Sequence, residues 1–289
     1  MPRPRGETSR LVTTVKEIFR SAVLVPIGRR TGAPQVQLTS APIRGGNFLY
    51  YWLWAGSRRH GQQRRVVLWQ DAMADWIDEF PALREITAKK DELPFLRSEW
   101  INSHRHTYGV DFDETQLSSF IARYLLTSVS FSERVERARS WLTPETVVIN
   151  VRRGDYYQYP HLTEVYGLDI ASFVRQALSR CERAAGRYVV VSDGLGWCTE
   201  HLSDCLPGEL ETVSWRRDMF DDLAVLAAAP TLLLANSTFS YWGAYIARAI
   251  DPGAEVLAPP YHYRENGVLV RDTYAPAWNV VDGHEGGGQ

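Results

Sequence analysis

The run Thr146-Val147-Val148-Ile149-Asn150-Val151-Arg152-Arg153-Gly154-Asp155-Tyr156 passes in one step from β-branched, apolar residues to paired arginines, a glycine and an acid. So short and so apolar a run predicts a central parallel strand covered on both faces, and such strands present functional residues at their carboxyl ends. Arg152 and Arg153 stand at that end. The planar fork of arginine bonds phosphate oxygens in pairs, and Gly154 permits close backbone approach, so the segment reads as a pyrophosphate clamp. A surface ion pair between Arg153 and Asp155 is the competing reading of the same residues.

Toward the C-terminus the pattern repeats as a helix over 170–185, a strand over 188–192, a helix over 221–228 and a strand over 232–235. Regular alternation of this kind predicts a doubly wound α/β domain. Its strand ends would bring Arg152 and Arg153, Ser192 and Asp193, and Asn236, Ser237, Thr238 and Ser240 to one crevice. A helix over 239–248 would aim its free amides and the positive end of its dipole at a phosphate, although each hydroxyl can equally serve only as a cap.

Toward the N-terminus, Gln35 to Thr39 alternates as a strand and leads through Arg44-Gly45-Gly46-Asn47 into a helical stretch from Phe48 to Arg58. Strand, glycines and helix in that order make a loop-to-helix anion site in which Arg44, Gly46 and Asn47 contact the ligand; a turn capping an aromatic core helix is the alternative. Val66 to Trp69 predicts a further strand, and Trp76 to Ile86 a helix that Pro81 breaks early. Residues 87–112 lack a period and suit a variable surface region that contacts a ligand. His104 and His106 within that stretch have the spacing of a metal pair but no third ligand in sight. Asp113 to Trp141 carries a helical stripe that Asp113 begins. With Pro144 breaking the chain, the expected organisation is an N-terminal extension over 1–35, a first domain over 36–143 and a second over 144–289.

Composition narrows the partners. At 289 residues, with 45% hydrophobic and 12% aromatic residues, the chain can furnish a core for each of two domains. A formal net charge of -2 argues against a protein that coats nucleic acid. Cys181, Cys198 and Cys205 show no C-x-x-C spacing, which predicts reduced thiols in a cytoplasmic protein. The apolar patch over 22–27 is too short to span a bilayer. Leu11, Val15, Ile18, Phe19 and Ala22 recur at helical spacing, so residues 10–24 form an amphipathic helix that packs on the body or lies on an anionic membrane surface, peripheral at most.

Three motifs together resemble one enzyme family. Asn150-Val151-Arg152-Arg153-Gly154-Asp155-Tyr156 resembles the H-x-R-R-G-D-Y motif of the glycosyltransferase family 11 α-1,2-fucosyltransferases. Val189-Val190-Val191-Ser192-Asp193-Gly194-Leu195-Gly196-Trp197-Cys198 is similar to the family's strand ending in S-D-D-x-x-W-C. Asp222-Leu223-Ala224-Val225-Leu226, followed by Ala235-Asn236-Ser237-Thr238-Phe239-Ser240-Tyr241-Trp242-Gly243-Ala244, resembles D-L-x-L-M leading to A-N-S-S-F-S-W-W-G-A. Gly46 and Asn47 look like the G-N of the family's glycine loop, in a shortened form.

The resemblance implies a GT-B-like α/β fold of two Rossmann-type domains facing a cleft, with 36–143 the acceptor-side domain and 144–289 the nucleotide-sugar domain. It implies an inverting, metal-independent fucosyltransferase with GDP-fucose as donor substrate, no cofactor, and a glycan acceptor. Arg152 would stabilise the charge that collects on the departing GDP, standing in for the metal ion of other transferases. Asn150, Arg153, Asp155, Ser192, Asp193, Asn236, Ser237, Thr238 and Ser240 would hold the donor. Asn150 in place of the motif histidine and Gly194 in place of its second acid leave open another GDP-sugar, or an inactive glycan- or nucleotide-binding relative. Asp155 and His161 are the candidates for a general base, unless the acceptor passes its proton to the donor phosphate.

Overall fold

The computed structural model of the protein describes residues 33–39, 45–57, 63–94, 98–183 and 185–282. The helix expected over 10–24 and Arg44 lie outside the described residues. Two parallel α/β sheets, one on either side of Pro144, form the frame, in the GT-B-like layout expected from the sequence.

The first sheet is built from β1 (Gln35–Gln37), β2 (Arg65–Leu68), β3 (Thr87–Ala88) and β4 (Glu99–Ile101), in the order β3-β2-β1-β4. Between β1 and β2 runs α1 (Asn47–Gly56), whose residues from Phe48 to Ala55 are all buried. A helix apolar on every side must be enclosed, and this one is. The helix expected from Trp76 to Ile86 is instead α2 (Ala74–Glu79) followed by a 3-10 segment, Pro81–Ile86. Proline disfavours the α conformation at Phe80, which takes φ -120° and ψ 75° and ends α2 there.

Asp113 does begin the next helix, α3 (Glu114–Phe120), through a capping box with Gln116. The stripe that follows is not one helix. A π-turn, Ile121–Leu125, loosens it, and Ser128 then caps α4 (Val129–Trp141) by accepting from the Phe131 amide at 3.1 Å.

The second half contains β5 (Thr146–Val151), α5 (Pro160–Tyr166), α6 (Ile170–Arg180), β6 (Arg187–Ser192), α7 (Leu195–Leu202), β7 (Leu210–Thr212), α8 (Met219–Ala228), β8 (Thr231–Leu233) and α9 (Thr238–Ile250). It ends with β9 (Glu255–Ala258), the antiparallel hairpin β10 (Tyr263–Glu265) and β11 (Val268–Val270), and β12 (Asn279–Val280). Strands β12-β9-β8-β5-β6-β7 form a sheet whose ladders are all parallel. The α6 helix stops five residues before the expected 185, because the chain turns away at Cys181 and the Glu182 amide donates to Glu255 Oε1 at 2.7 Å.

All six residues of β5 are buried, and its four apolar ones divide by alternation between two apolar clusters. Val147, Ile149 and Val151 meet Phe173 and Val174 of α6, while Val148 belongs to the larger cluster. That larger cluster runs from Phe48 through Trp76, Phe80 and Phe131 to Leu226, Trp242 and Trp278, so one core is shared across Pro144. Among the described residues no helix is long and apolar enough to cross a membrane.

Candidate functional site

Strand order locates the site before any side chain is considered. The chain moves from β5 to β6 and β7 on one side, then crosses back to β8 on the other, so the crevice outside the β5 and β8 carboxyl ends is a topological switch point. A cavity of about 680 Å³ opens there.

At the end of β5, Asn150 donates from Nδ2 to the Val191 carbonyl at 2.9 Å and Arg152 reaches into the cavity with 39% of its side chain exposed. Its Nη1 donates to Asp193 Oδ2 at 2.6 Å and its Nη2 to Asp155 Oδ1 at 2.9 Å. Asp193 also accepts the Arg153 backbone amide at 2.7 Å, which ties the ends of β5 and β6 together. Gly154 makes this possible. It has φ +29°, and a Cβ there would stand 2.7 Å from Asp193 Oδ2 and 3.0 Å from Arg152 Cζ.

Across the crevice, Ser237 is the N-cap of α9 yet its side chain makes no capping bond. Its hydroxyl and the amides of the first turn are therefore available to an anion. Gly46 closes on this helix start, since a Cβ on it would lie 2.7 Å from the Phe239 nitrogen and the Thr238 carbonyl carbon. Gly45, Gly46 and Asn47 line the cavity with Ser237, Thr238 and Phe239. The glycine loop of the first half thus meets the hydroxyl cluster of the second over one space.

Of the residues expected at the site, Asn150, Arg152, Asp155, Ser192, Asp193, Ser237, Thr238, Gly46 and Asn47 line this cavity. Three others are employed elsewhere. The Arg153 guanidinium lies between the rings of Tyr157, at 4.1 Å, and Trp197, at 4.3 Å. Asn236 spends its amide on the carbonyls of Tyr166, at 2.6 Å, and His262, at 3.2 Å. Ser240 is fully buried and accepts the Ala235 amide at 3.1 Å, holding the turn into α9. His161 is exposed, near Tyr159, and does not line the cavity.

His104 and His106 have their rings 4.1 Å apart, and His106 Nε2 pairs with Asp272 at 2.9 Å; among the described residues no group of three ligating side chains can hold a metal ion. The one Asp-x-Asp spacing in the sequence, at Asp111 and Asp113, is used locally. Asp111 accepts the Thr107 amide at 3.0 Å and Asp113 caps α3.

Two walls of the cavity were not expected. Arg216, Met219 and Asp222 form one at the start of α8, with Arg216 Nε donating to Asp222 Oδ1 at 2.6 Å. Burial raises the Asp222 pKa, outweighing Arg216. The signal in the sequence was the carboxylate doublet Asp221-Asp222 just after Arg216-Arg217, which also reads as a capped helix start. Tyr156, Leu162 and Tyr166 form the other wall, with the two tyrosine rings stacked at 4.5 Å.

Known proteins resemble this chain in part. The galactoside alpha-(1,2)-fucosyltransferase 1 of Alouatta belzebul is 30% identical over 128 residues, 41% of this chain and 33% of the relative. That of Plecturocebus brunneus is 31% identical over 124 residues, 39% of this chain and 32% of the relative. The matched stretch thus spans about a third of the length of these curated relatives. Among solved structures, NodZ alpha-1,6-fucosyltransferase soaked with GDP-fucose aligns with TM-score 0.47 and 12% identity over 74% of this chain and 92% of its own. POFUT1 in complex with GDP-fucose aligns with TM-score 0.36 and 15% identity over 80% of this chain and 75% of its own. The model of the family described as Glycosyl transferase family 11 matches residues 60–282, more than three-quarters of the chain. This protein belongs to glycosyl transferase family 11.

Proposed function

We propose that the protein is a metal-independent, inverting fucosyltransferase that moves fucose from GDP-fucose to a galactose-type hydroxyl of a glycan. The observation that carries this reading is the meeting of Arg152 and the uncapped start of α9 over one cavity at the switch point. The diphosphate lies between them. Arg152 offers it the N–H groups that Asp193 and Asp155 leave unused, while α9 and the Gly46 loop offer backbone amides.

The guanine extends past β6 toward Arg216 and Asp222. Asp222 Oδ2 has no partner among the described residues and faces donors on the base. As the bond from the fucose anomeric carbon to the β-phosphate oxygen breaks, negative charge grows on that oxygen. A fixed guanidinium lowers the energy of this state more than that of the bound ground state. The acceptor oxygen attacks the opposite face of the sugar, which inverts the anomeric centre. Its proton goes to Asp155, half-exposed at the cavity edge.

Asn150 and Gly194, where the family motifs carry histidine and aspartate, favour one second reading, a transferase for another GDP-sugar or an inactive binder. Release of GDP from GDP-fucose and from GDP-mannose, with and without β-galactoside acceptors and with a chelator present, separates these. Fucose-specific release that needs acceptor and survives the chelator supports the proposal. Release from GDP-mannose alone, loss of activity on chelation, or GDP binding without turnover rejects it.

A further inference from the structure

Between β7 and α8 successive residues serve two sides. Arg216, Met219 and Asp222 line the cavity, while Arg217, Asp218 and Asp221 turn away from it toward Arg134 of α4. The Arg134 side chain is only 12% exposed. Its fork grips Asp218 with both terminal nitrogens, at 2.8 and 2.9 Å, and reaches Asp221 Oδ1 at 2.6 Å. Its Nε pairs with Glu79, at the end of α2, at 3.1 Å. Asp218 passes the restraint on by capping α8, accepting the amides of Phe220 and Asp221 at 2.9 and 3.2 Å. Asp221, fully buried, also holds the Arg217 amide at 2.8 Å. Phe220, between them, packs edge-on against Trp76 and Phe80. One arginine from another helix thus fixes both the loop and the first turn that carry the cavity residues.

We infer that Arg134, which does not line the cavity, is a positioning residue that sets which base the nucleotide site accepts. The inference rests on the donor reading above, in which Asp222 meets the base. A carboxylate oxygen accepts the ring N–H and amino N–H of guanine, whereas adenine presents a ring lone pair that it repels. Such discrimination depends on angle and on distances of a few tenths of an ångström, so it survives only if Asp222 is held. Arg216 Nε donates to Asp222 at 2.6 Å, but from the loop before α8, which must itself be held. Phe220 packs the first turn against Trp76 and Phe80, and Arg134, 84 and 87 residues away in sequence, ties Asp218 and Asp221 of that turn to α4 and so sets its angle. A lysine keeps the charge but cannot grip Asp218 with two donors while also reaching Asp221.

The experiment is calorimetric titration of GDP, ADP and inorganic pyrophosphate into the wild type, Arg134→Lys, Asp218→Asn and Asp222→Asn, with melting curves for each. Asparagine is a good N-cap, so Asp218→Asn keeps α8 capped and stays folded even if Arg134→Lys does not. The expected result is a preference for GDP over ADP that shrinks about tenfold in Arg134→Lys and about threefold in Asp218→Asn, while pyrophosphate affinity stays within about twofold. An unchanged preference in the folded variants overturns the inference. So does a loss of GDP and pyrophosphate affinity by the same factor, which is general loosening. If the preference survives Asp222→Asn, the base-end part of the donor reading fails and takes the inference with it. If it is lost there and kept in Arg134→Lys and Asp218→Asn, only the role of Arg134 fails.

Discussion

Replacing Gly46 by alanine tests whether the glycine loop and the start of α9 form one wall. The added methyl would lie 2.7 Å from the Phe239 nitrogen and the Thr238 carbonyl carbon and 2.8 Å from the Thr238 oxygen, against ordinary contact from 3.4 Å outward. All three atoms are backbone of the first turn, so no side chain can swing aside. Loop and helix must separate by roughly half an ångström or more, at a cost of about 1–3 kcal/mol. If the diphosphate needs both partners at their present spacing, that cost appears in binding, and GDP affinity falls about five- to 150-fold. Gly109→Ala is the matched control. Gly109 has φ +77°, has open space where a Cβ would stand and does not line the cavity, so alanine there strains the backbone by about 1–2 kcal/mol without touching the site. Calorimetry with GDP and thermal melting on both variants give the answer. Gly109→Ala should melt lower and bind GDP within about threefold of wild type, whereas Gly46→Ala should lose affinity. Wild-type GDP affinity in Gly46→Ala would refute the argument.

Asn150→Ala removes the side-chain bond to Val191 and a cavity-facing amide, and should weaken GDP binding about tenfold while Asn150→His is tolerated; unchanged affinity in the alanine variant would mean that Asn150 merely packs. If Asp222 meets the base as proposed, it does so in its ionised form, and since burial raises its pKa, GDP affinity should fall on acidification at a pH above the ordinary 3.8, and Asp222→Asn should flatten the profile. For Asp221 burial alone would raise the pKa, but bonds from Arg217 and Arg134 prevail and bring it to about 2. Its contribution to stability, about 2 kcal/mol, is therefore complete above pH 3.8 and lost as the pH falls toward 2; acid unfolding that is unchanged in Asp221→Asn would count against this.

Much of the second half was legible because its signals are local. A strand buried on both faces writes itself as six consecutive residues that want burial, and β5 ends where the charge begins. The first sheet was harder to read, since strands of two to four residues are too short to show a period of two. Arg152 and Arg153 show where sequence runs out. Alternation says that neighbours on a strand point to opposite faces, so only one of the pair can share a face with Asn150. What receives the other, a slot between Tyr157 and Trp197, is assembled from residues 40 apart in the chain. Asn236 and Ser240 sit among hydroxyls and amides that face the cavity, and their polar groups are consumed by backbone atoms that only the folded turn brings near. Asp222 stands first in the D-L-x-L-M-like stretch, but only the fold, which turns the start of α8 toward the cavity, brings its carboxylate to the site.

The central claim is that Arg152, held over the switch-point cavity, stabilises the charge that develops on the departing GDP. Its side chain is partly exposed and paired with carboxylates that are exposed too, so Arg152→Ala should leave the melting temperature nearly unchanged. Steady-state kinetics of the purified variant with GDP-fucose and a β-galactoside acceptor test the claim most directly. The account predicts that kcat falls by about 100- to 1,000-fold, the loss typical of one transition-state donor, with a much smaller change in GDP affinity. Turnover near that of the wild type, or a loss confined to KM, would contradict it.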